Sequence, residues 1–127
     1  MAKITARLTL TSTDWHTDSL SINQTANLTC SGDEQAIGRY TTSTTDSKIP
    51  VGTFDSTDKK AWVYLKNTSS TSGEKIWVTE DNSGSVGVTV MCLGAGEWTF
   101  FPYAANDNLW CNSATGTPVL EYGIFEV

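Results

Sequence analysis

Apolar and polar residues alternate with a period of two along most of the chain, the pattern of strands that bury one face. Residues 3–12 set Ile4, Ala6, Leu8 and Leu10 against Thr5, Arg7, Thr9 and Thr11. Residues 19–23 continue with Leu20 and Ile22, and residues 26–30 with Ala26, Leu28 and Cys30. Residues 35–42 alternate more weakly. Residues 61–66 and 75–79 are rich in aromatic and β-branched side chains, and the polar segment 67–74 between them predicts a hairpin with a long tip. Runs at 86–93, 97–101, 108–111 and 119–127 complete the set. Gly, Asn, Asp and Pro mark turns at 81–84, 94–96, 102–107 and 113–118. No window sustains a 3.6-residue period, and the best helical prospect is one short turn near residues 104–106. The pattern predicts an all-β fold: one antiparallel β-sandwich over residues 1–127, jelly-roll or Ig-like, with about 9–10 short strands and almost no helix. Its expected buried positions are Ile4, Leu8, Leu10, Leu20, Ile22, Leu28, Val63, Leu65, Ile76, Val78, Val88, Val90, Leu120 and Ile124.

One stretch breaks the rhythm. Residues 41–48 are a polar run of low complexity, residues 49–54 form a small apolar island, and residues 55–60 are polar again. Connections this long without a strand are uncommon in compact domains and often functional. Two readings stand for residues 41–60. The segment folds over its own sandwich, pinned by Ile49, Val51 and Phe54, or it is an arm that seats those side chains on a neighbouring subunit.

Composition narrows the function classes. Twenty Thr and thirteen Ser make hydroxyls, more than charges, the source of solubility. Thirteen aromatic residues, five of them Trp, argue against disorder. The net charge is −6, and the basic residues form no cluster, so a phosphate-binding surface and a nucleic-acid partner are excluded. No apolar run has the length of a membrane-spanning helix, and no targeting segment is expected at the start of the chain. Charge is uneven: residues 61–127 hold two basic and seven acidic residues, which reads as a solvated acidic face or a surface for a basic partner.

Candidate chemistry is sparse. The cysteines Cys30, Cys92 and Cys111 lack the short spacing of a zinc site and sit inside strand-like runs, so they read as small core fillers with free thiols. His16 is the one histidine, and no nucleophile elbow or phosphate-binding glycine loop is present. Asp14, His16 and Asp18 would share a face of an extended chain, but the better reading is a polar turn in which Trp15 covers the edge of the core. Glu97 and Glu121 are the strand carboxylates flanked by aromatics, the pair a glycosidase would need, although such residues more often face solvent or pair with a cation. Asn23, Asn27 and Asn67 match the N-x-[ST] pattern, as expected by chance in so Thr- and Ser-rich a chain. No metal, cofactor or catalytic residue is expected. The tryptophans read chiefly as core or subunit interface. Exposed Trp15, Trp62, Trp98 and Trp110 would instead supply rings on which sugars stack.

Three segments carry a resemblance: Trp62-Val63-Tyr64-Leu65-Lys66-Asn67-Thr68, Gly96-Glu97-Trp98-Thr99-Phe100-Phe101-Pro102, and Pro118-Val119-Leu120-Glu121-Tyr122-Gly123-Ile124-Phe125-Glu126. Together they resemble the small β-sandwich virion proteins of tailed bacteriophages of the marine and cyanobacterial type, over about half the chain. The resemblance implies a non-enzymatic virion structural protein, foremost a capsid decoration or cement subunit, assembled in the host cytoplasm. It implies as partners copies of itself, with a trimer as the leading expectation, and the phage's major capsid protein or a tail protein. The competing expectation is a carbohydrate- or receptor-binding module of a tail or fibre.

Overall fold

A computed structural model describes residues 2–14, 19–30, 35–50, 60–82, 85–104 and 108–127. The chain is all-β, with antiparallel sheets, and no helix occurs among the described residues. It divides into two compact units, Met1–Ser31 with Val127, and Gly32–Glu126.

The first unit is a ribbon of two long strands, β1 (Ala2–Ser12) and β2 (Leu20–Cys30). Their register runs without interruption from Ala2 opposite Cys30 to Ser12 opposite Leu20. Where the sequence reads as two short strands, residues 19–23 and 26–30, the polar Gln24 and Thr25 pair in line and β2 is continuous. Because opposite residues point to one side, the ribbon sorts its residues by face. Ile4, Ala6, Leu8 and Leu10 lie with Ile22, Gln24, Ala26, Leu28 and Cys30, so one polar residue, Gln24, interrupts the apolar side opposite Leu8. Lys3, Thr5, Arg7, Thr9 and Thr11 lie with Ser21, Asn23, Thr25, Asn27 and Thr29. On the polar side Thr5 Oγ1 donates to Asn27 Oδ1 at 3.1 Å.

The second unit is a sandwich of two four-stranded sheets. Its strands are β3 (Gln35–Thr41), β4 (Ser47–Lys48), β5 (Lys60–Asn67), β6 (Ile76–Asn82), β7 (Ser85–Leu93), β8 (Trp98–Ala104), β9 (Leu109–Ser113) and β10 (Val119–Glu126). One sheet has the order β3-β10-β5-β8 and the other β4-β9-β6-β7. Every connection crosses from one sheet to the other except β6 to β7. That is jelly-roll winding; an Ig-like sandwich keeps several successive strands in one sheet. The expected hairpin of residues 61–66 with 75–79 does not form. β5 and β6 belong to opposite sheets, and the polar segment between them is a crossing.

Alternation builds the core. β5 buries Ala61, Val63, Leu65 and Asn67, and β9 buries Leu109 and Cys111. These meet Ile76 and Val78 of β6 and Leu120, Tyr122 and Ile124 of β10 in one cluster drawn wholly from the second unit. Gly38 is required by that packing, because it faces Tyr122 across the sheet and a Cβ would lie 2.6 Å from the phenol oxygen. The polar stretch at 41–48 is part of the fold. Ser47 and Lys48 pair with Cys111 and Trp110, and buried Thr42 donates its hydroxyl to Pro118 O.

The expected core is corrected at five positions. Val63, Leu65, Ile76, Val78, Leu120 and Ile124 are buried, and Ile4, Leu20 and Leu28 are half-buried. Leu8, Leu10 and Ile22 are exposed, as are Val88 and Val90. Their alternation is real, but it is not matched by burial at these positions. Cys92 is also exposed and no core filler, since it pairs opposite Trp77 on the outward side of β6 and β7. Cys30 and Cys111 are buried.

Candidate interaction surfaces

The register of β3-β10-β5-β8 assembles an aromatic outer face. Inward Val63 and Leu65 alternate with outward Trp62, Tyr64 and Lys66. Trp62 lies beside Phe125 and Pro102, Tyr64 beside Gly123 and Phe100, and Lys66 beside Glu121 and Trp98. Trp62 and Phe100 stack with ring centroids 5.1 Å apart and planes 16° from parallel. Lys60 Nζ stands 5.2 Å from the Trp62 ring centroid. Trp62 is thus half-buried, with Phe100 and Lys60 as partners of its ring. Glu121 accepts hydrogen bonds from Arg39 Nη2 at 3.1 Å and Tyr64 Oη at 3.3 Å. Burial raises the pKa of the Tyr64 phenol, helped by the charge and the hydrogen bond of Glu121.

Trp98 is the open aromatic of this set, 56% exposed at the start of edge strand β8. It borders an open depression of about 600 Å³ whose wall includes Met91, Cys92, Glu97 and Thr99. Glu97 shapes the rim: its Oε2 accepts the Gly94 N–H at 2.7 Å across a turn in which Gly96 takes φ of 76°. The two strand carboxylates singled out in the sequence are thus engaged separately, Glu97 by a turn and Glu121 by Arg39 and Tyr64.

Trp110 lies on the other sheet. Lys48 Nζ sits 5.2 Å from its ring centroid, and its Nε1 is buried without a hydrogen-bond partner, as is Oγ1 of Thr79 opposite it. Next to it, burial and the charge of Asp46 push the Cys111 thiol up to about 12. Ile49 is 2% exposed, donates its N–H to Leu109 O, and belongs to the core of its own jelly roll. Of the apolar island, Val51 and Phe54 fall outside the described residues, as do Trp15, His16 and Asp18. Asp14 accepts the Ser12 hydroxyl hydrogen bond at 2.7 Å. Among the described residues no group of three metal-ligating side chains comes together.

Two surfaces were not singled out in the sequence. One is the apolar side of the ribbon, with Leu8 43%, Leu10 44% and Ile22 38% exposed. The other is β7, an edge strand with Val86 37%, Val88 68% and Val90 53% exposed. The other edges of the jelly roll are blunted: β4 has two residues, β8 contains Pro102 and β3 contains Arg39. β7 has nine residues and no charge. Two register shifts against β6 kink it, a feature of edges kept from simple strand addition. The absence of charge over residues 85–93 was the available signal. Comparison with protein-family models, curated proteins and solved structures finds no match for the chain.

Proposed function

We propose that this chain is a non-enzymatic structural subunit of a tailed-phage virion, a capsid decoration or cement protein that stabilises the shell through subunit contacts. The ribbon is the observation that carries the reading. Two-stranded ribbons are marginal in water, and this one has a mainly apolar side, interrupted at Gln24, on which Leu8, Leu10 and Ile22 are exposed. A protein retains such a surface where a partner covers it. Jelly rolls serve in viral capsid and lectin domains, which supports the reading by analogy only. Three free thiols suit assembly in a reducing host cytoplasm. The partners are further copies, as a trimer, and the phage's major capsid protein or a tail protein. Quantitative mass spectrometry of purified particles from the source lysate tests it. The chain should be present at a copy number comparable with the shell subunit, and its absence from particles overturns the reading.

Trp98 beside its depression favours a second reading, a carbohydrate- or receptor-binding module of a tail or fibre. An exposed indole at the rim of a concave site is how small sandwiches stack sugars. Titration of the chain with oligosaccharides, followed by tryptophan fluorescence, should then show saturable binding that Trp98→Ala abolishes. Unchanged fluorescence across the series removes this reading.

A further inference from the structure

The sheet β3-β10-β5-β8 gathers on its outer side charges that are scattered in the sequence. We propose that this side binds an acidic oligosaccharide, with a sugar ring stacked on Trp98 and the sugar's carboxylate paired with Lys66. This rests on the carbohydrate reading of Trp98 and names the class of sugar.

Charge is the first argument. Residues 32–126 hold six basic and twelve acidic residues. Three of the six, Arg39, Lys60 and Lys66, fall on the outer side of this sheet, where Glu121 is the one carboxylate among the described strand residues. Glu126, also on β10, is in phase with Leu120, Tyr122 and Ile124 and is buried. The rest of residues 32–126 holds three basic and eleven acidic residues, so an acidic body carries one face of net positive charge. An anion is drawn to that face and repelled by the remainder.

Arrangement is the second. The register sets Trp98, Lys66, Glu121 and Arg39 opposite one another in a single row across the four strands. Three intervals of about 4.8 Å make the row about 14 Å long, the reach of a short oligosaccharide rather than of one small ion. Arg39 and Glu121 are engaged with each other: Nη2 donates to the carboxylate at 3.1 Å, and the same carboxylate accepts Tyr64 Oη at 3.3 Å. Lys66 stands between Glu121 and Trp98 with no ion pair to a carboxylate among the described residues. It is half-buried, so its charge is screened less than that of a fully solvated lysine. Glu97, next to Trp98 in the chain, is turned back onto the Gly94 N–H at 2.7 Å and held in its own turn.

Chemistry selects a sugar over other anions. A pyranose offers an apolar ring face and a rim of hydroxyls, and it fits a flat aromatic set beside both donors and acceptors. The row has that set: the exposed indole of Trp98, donors on Lys66 and Arg39, and acceptor oxygens on Glu121. Nucleic acid would need a longer run of cations along its phosphates and would meet Glu121 in the middle of the row. A carboxylate on the sugar supplies the group that the row lacks, a partner for Lys66.

Calorimetric titration of the full chain tests the site with acidic sugars and neutral counterparts of matched linkage: trimannuronate against mannotriose, trigalacturonate against galactotriose, and sialyllactose against lactose. At least one acidic sugar should bind about tenfold tighter than its counterpart, the worth of one charge-assisted hydrogen bond. Lys66→Gln should remove that preference and leave the neutral sugar's affinity unchanged, whereas Trp98→Ala should abolish binding of both. Unchanged circular dichroism checks that each variant folds, and Lys66→Thr stands in if Lys66→Gln does not. Equal binding of acidic and neutral sugars overturns the proposal and leaves the carbohydrate reading in place. Absence of binding by any of these sugars overturns both. An acidic preference that survives the loss of Lys66 overturns the proposal, and so does binding unchanged in Trp98→Ala. Binding of hexaglutamate as tight as that of the best acidic sugar overturns it too, because the site would then read charge alone.

Discussion

Asn67 should be the most sensitive polar position in the jelly roll. It is fully buried at the end of β5, and its side chain makes three hydrogen bonds. Nδ2 donates to Glu74 O at 2.9 Å and to Leu93 O at 3.1 Å, and Oδ1 accepts from Ser69 N at 3.0 Å. Its backbone adds two more, donating to Glu97 O and accepting from Gly96 N. Leu93 ends β7 in the opposite sheet, so one amide ties the two layers together and anchors the crossing to β6. Asn67→Ala keeps the backbone bonds and removes the other three. At about 1 kcal/mol for each bond, and more for Leu93 O left buried and unpaired, the loss is about 3–4 kcal/mol. For a body of this size that lowers Tm by roughly 12–20 °C. Urea unfolding with an unchanged m-value is the assay. Asn67→Asp sharpens the argument, because it keeps the size and aims a carboxylate at two carbonyl oxygens. It should cost more than Ala at neutral pH. Its folded pKa is raised by that environment, so the variant regains stability as pH falls through the folded pKa, with full relief below the unfolded carboxylate value. A loss under about 1 kcal/mol for Asn67→Ala would refute the reasoning. The same burial means that Asn67, within its N-x-[ST] match, is closed to glycosylation in the folded chain.

The remaining expectations concern the thiols and the ribbon. A thiol reagent added to native protein should label Cys92 quickly and Cys30 and Cys111 only on unfolding, so three equally fast thiols would contradict the burial. The Cys111 thiol, raised to about 12, holds its proton in the fold after the unfolded chain has released it. Its contribution is intact below about pH 9 and is lost as pH rises toward 12, at up to about 1.4 kcal/mol per pH unit. Urea melts between pH 8 and 10.5 should therefore slope less in Cys111→Ala than in wild type, and parallel slopes would refute the assignment. Removal of residues 1–31 should leave a cooperatively folding jelly roll, since the core cluster lies wholly in residues 49–124. A truncated chain without a cooperative melt would show that the ribbon belongs to the folding unit.

Strand positions were legible because alternation is a local property. β1, β3, β5 and β10 fall close to where the pattern placed them. Partners were less legible, because a strand's period does not say which strand lies beside it. Two aromatic strands around a Ser- and Thr-rich tip look like a hairpin, yet the winding sends them to opposite sheets. The residue that could have signalled the crossing is Asn67, a polar side chain falling in phase with Ala61, Val63 and Leu65 on the buried side. β8 was cut short at Pro102, which sits on an edge strand where its missing N–H costs little. β4 escaped notice because a two-residue strand has no period. Of the candidate site residues, Trp62 and Trp98 share one outer face, Trp110 lies on the other sheet, and Ile49 is a core residue.

The exposed leucines and valines point to a limit of a particular kind. Hydropathy alternation records that one side of a strand is selected to leave water; it does not record whose side chains replace the water. In Val63 and Leu65 the replacement is the facing sheet of the same unit, whereas Leu8, Leu10 and Val88 stand exposed. The sequence distinguishes the two cases only indirectly. The strands that meet inside the sandwich bring partners with them: β5 and β10 set aromatic rings and charged groups on their outer sides, and their inner sides close on one cluster. The ribbon strands bring threonine and asparagine on one side and, around Gln24, small or branched aliphatics on the other, with no third strand in their sheet. An amphipathic pair followed by a domain whose core closes without it is the feature on which the proposed structural role rests.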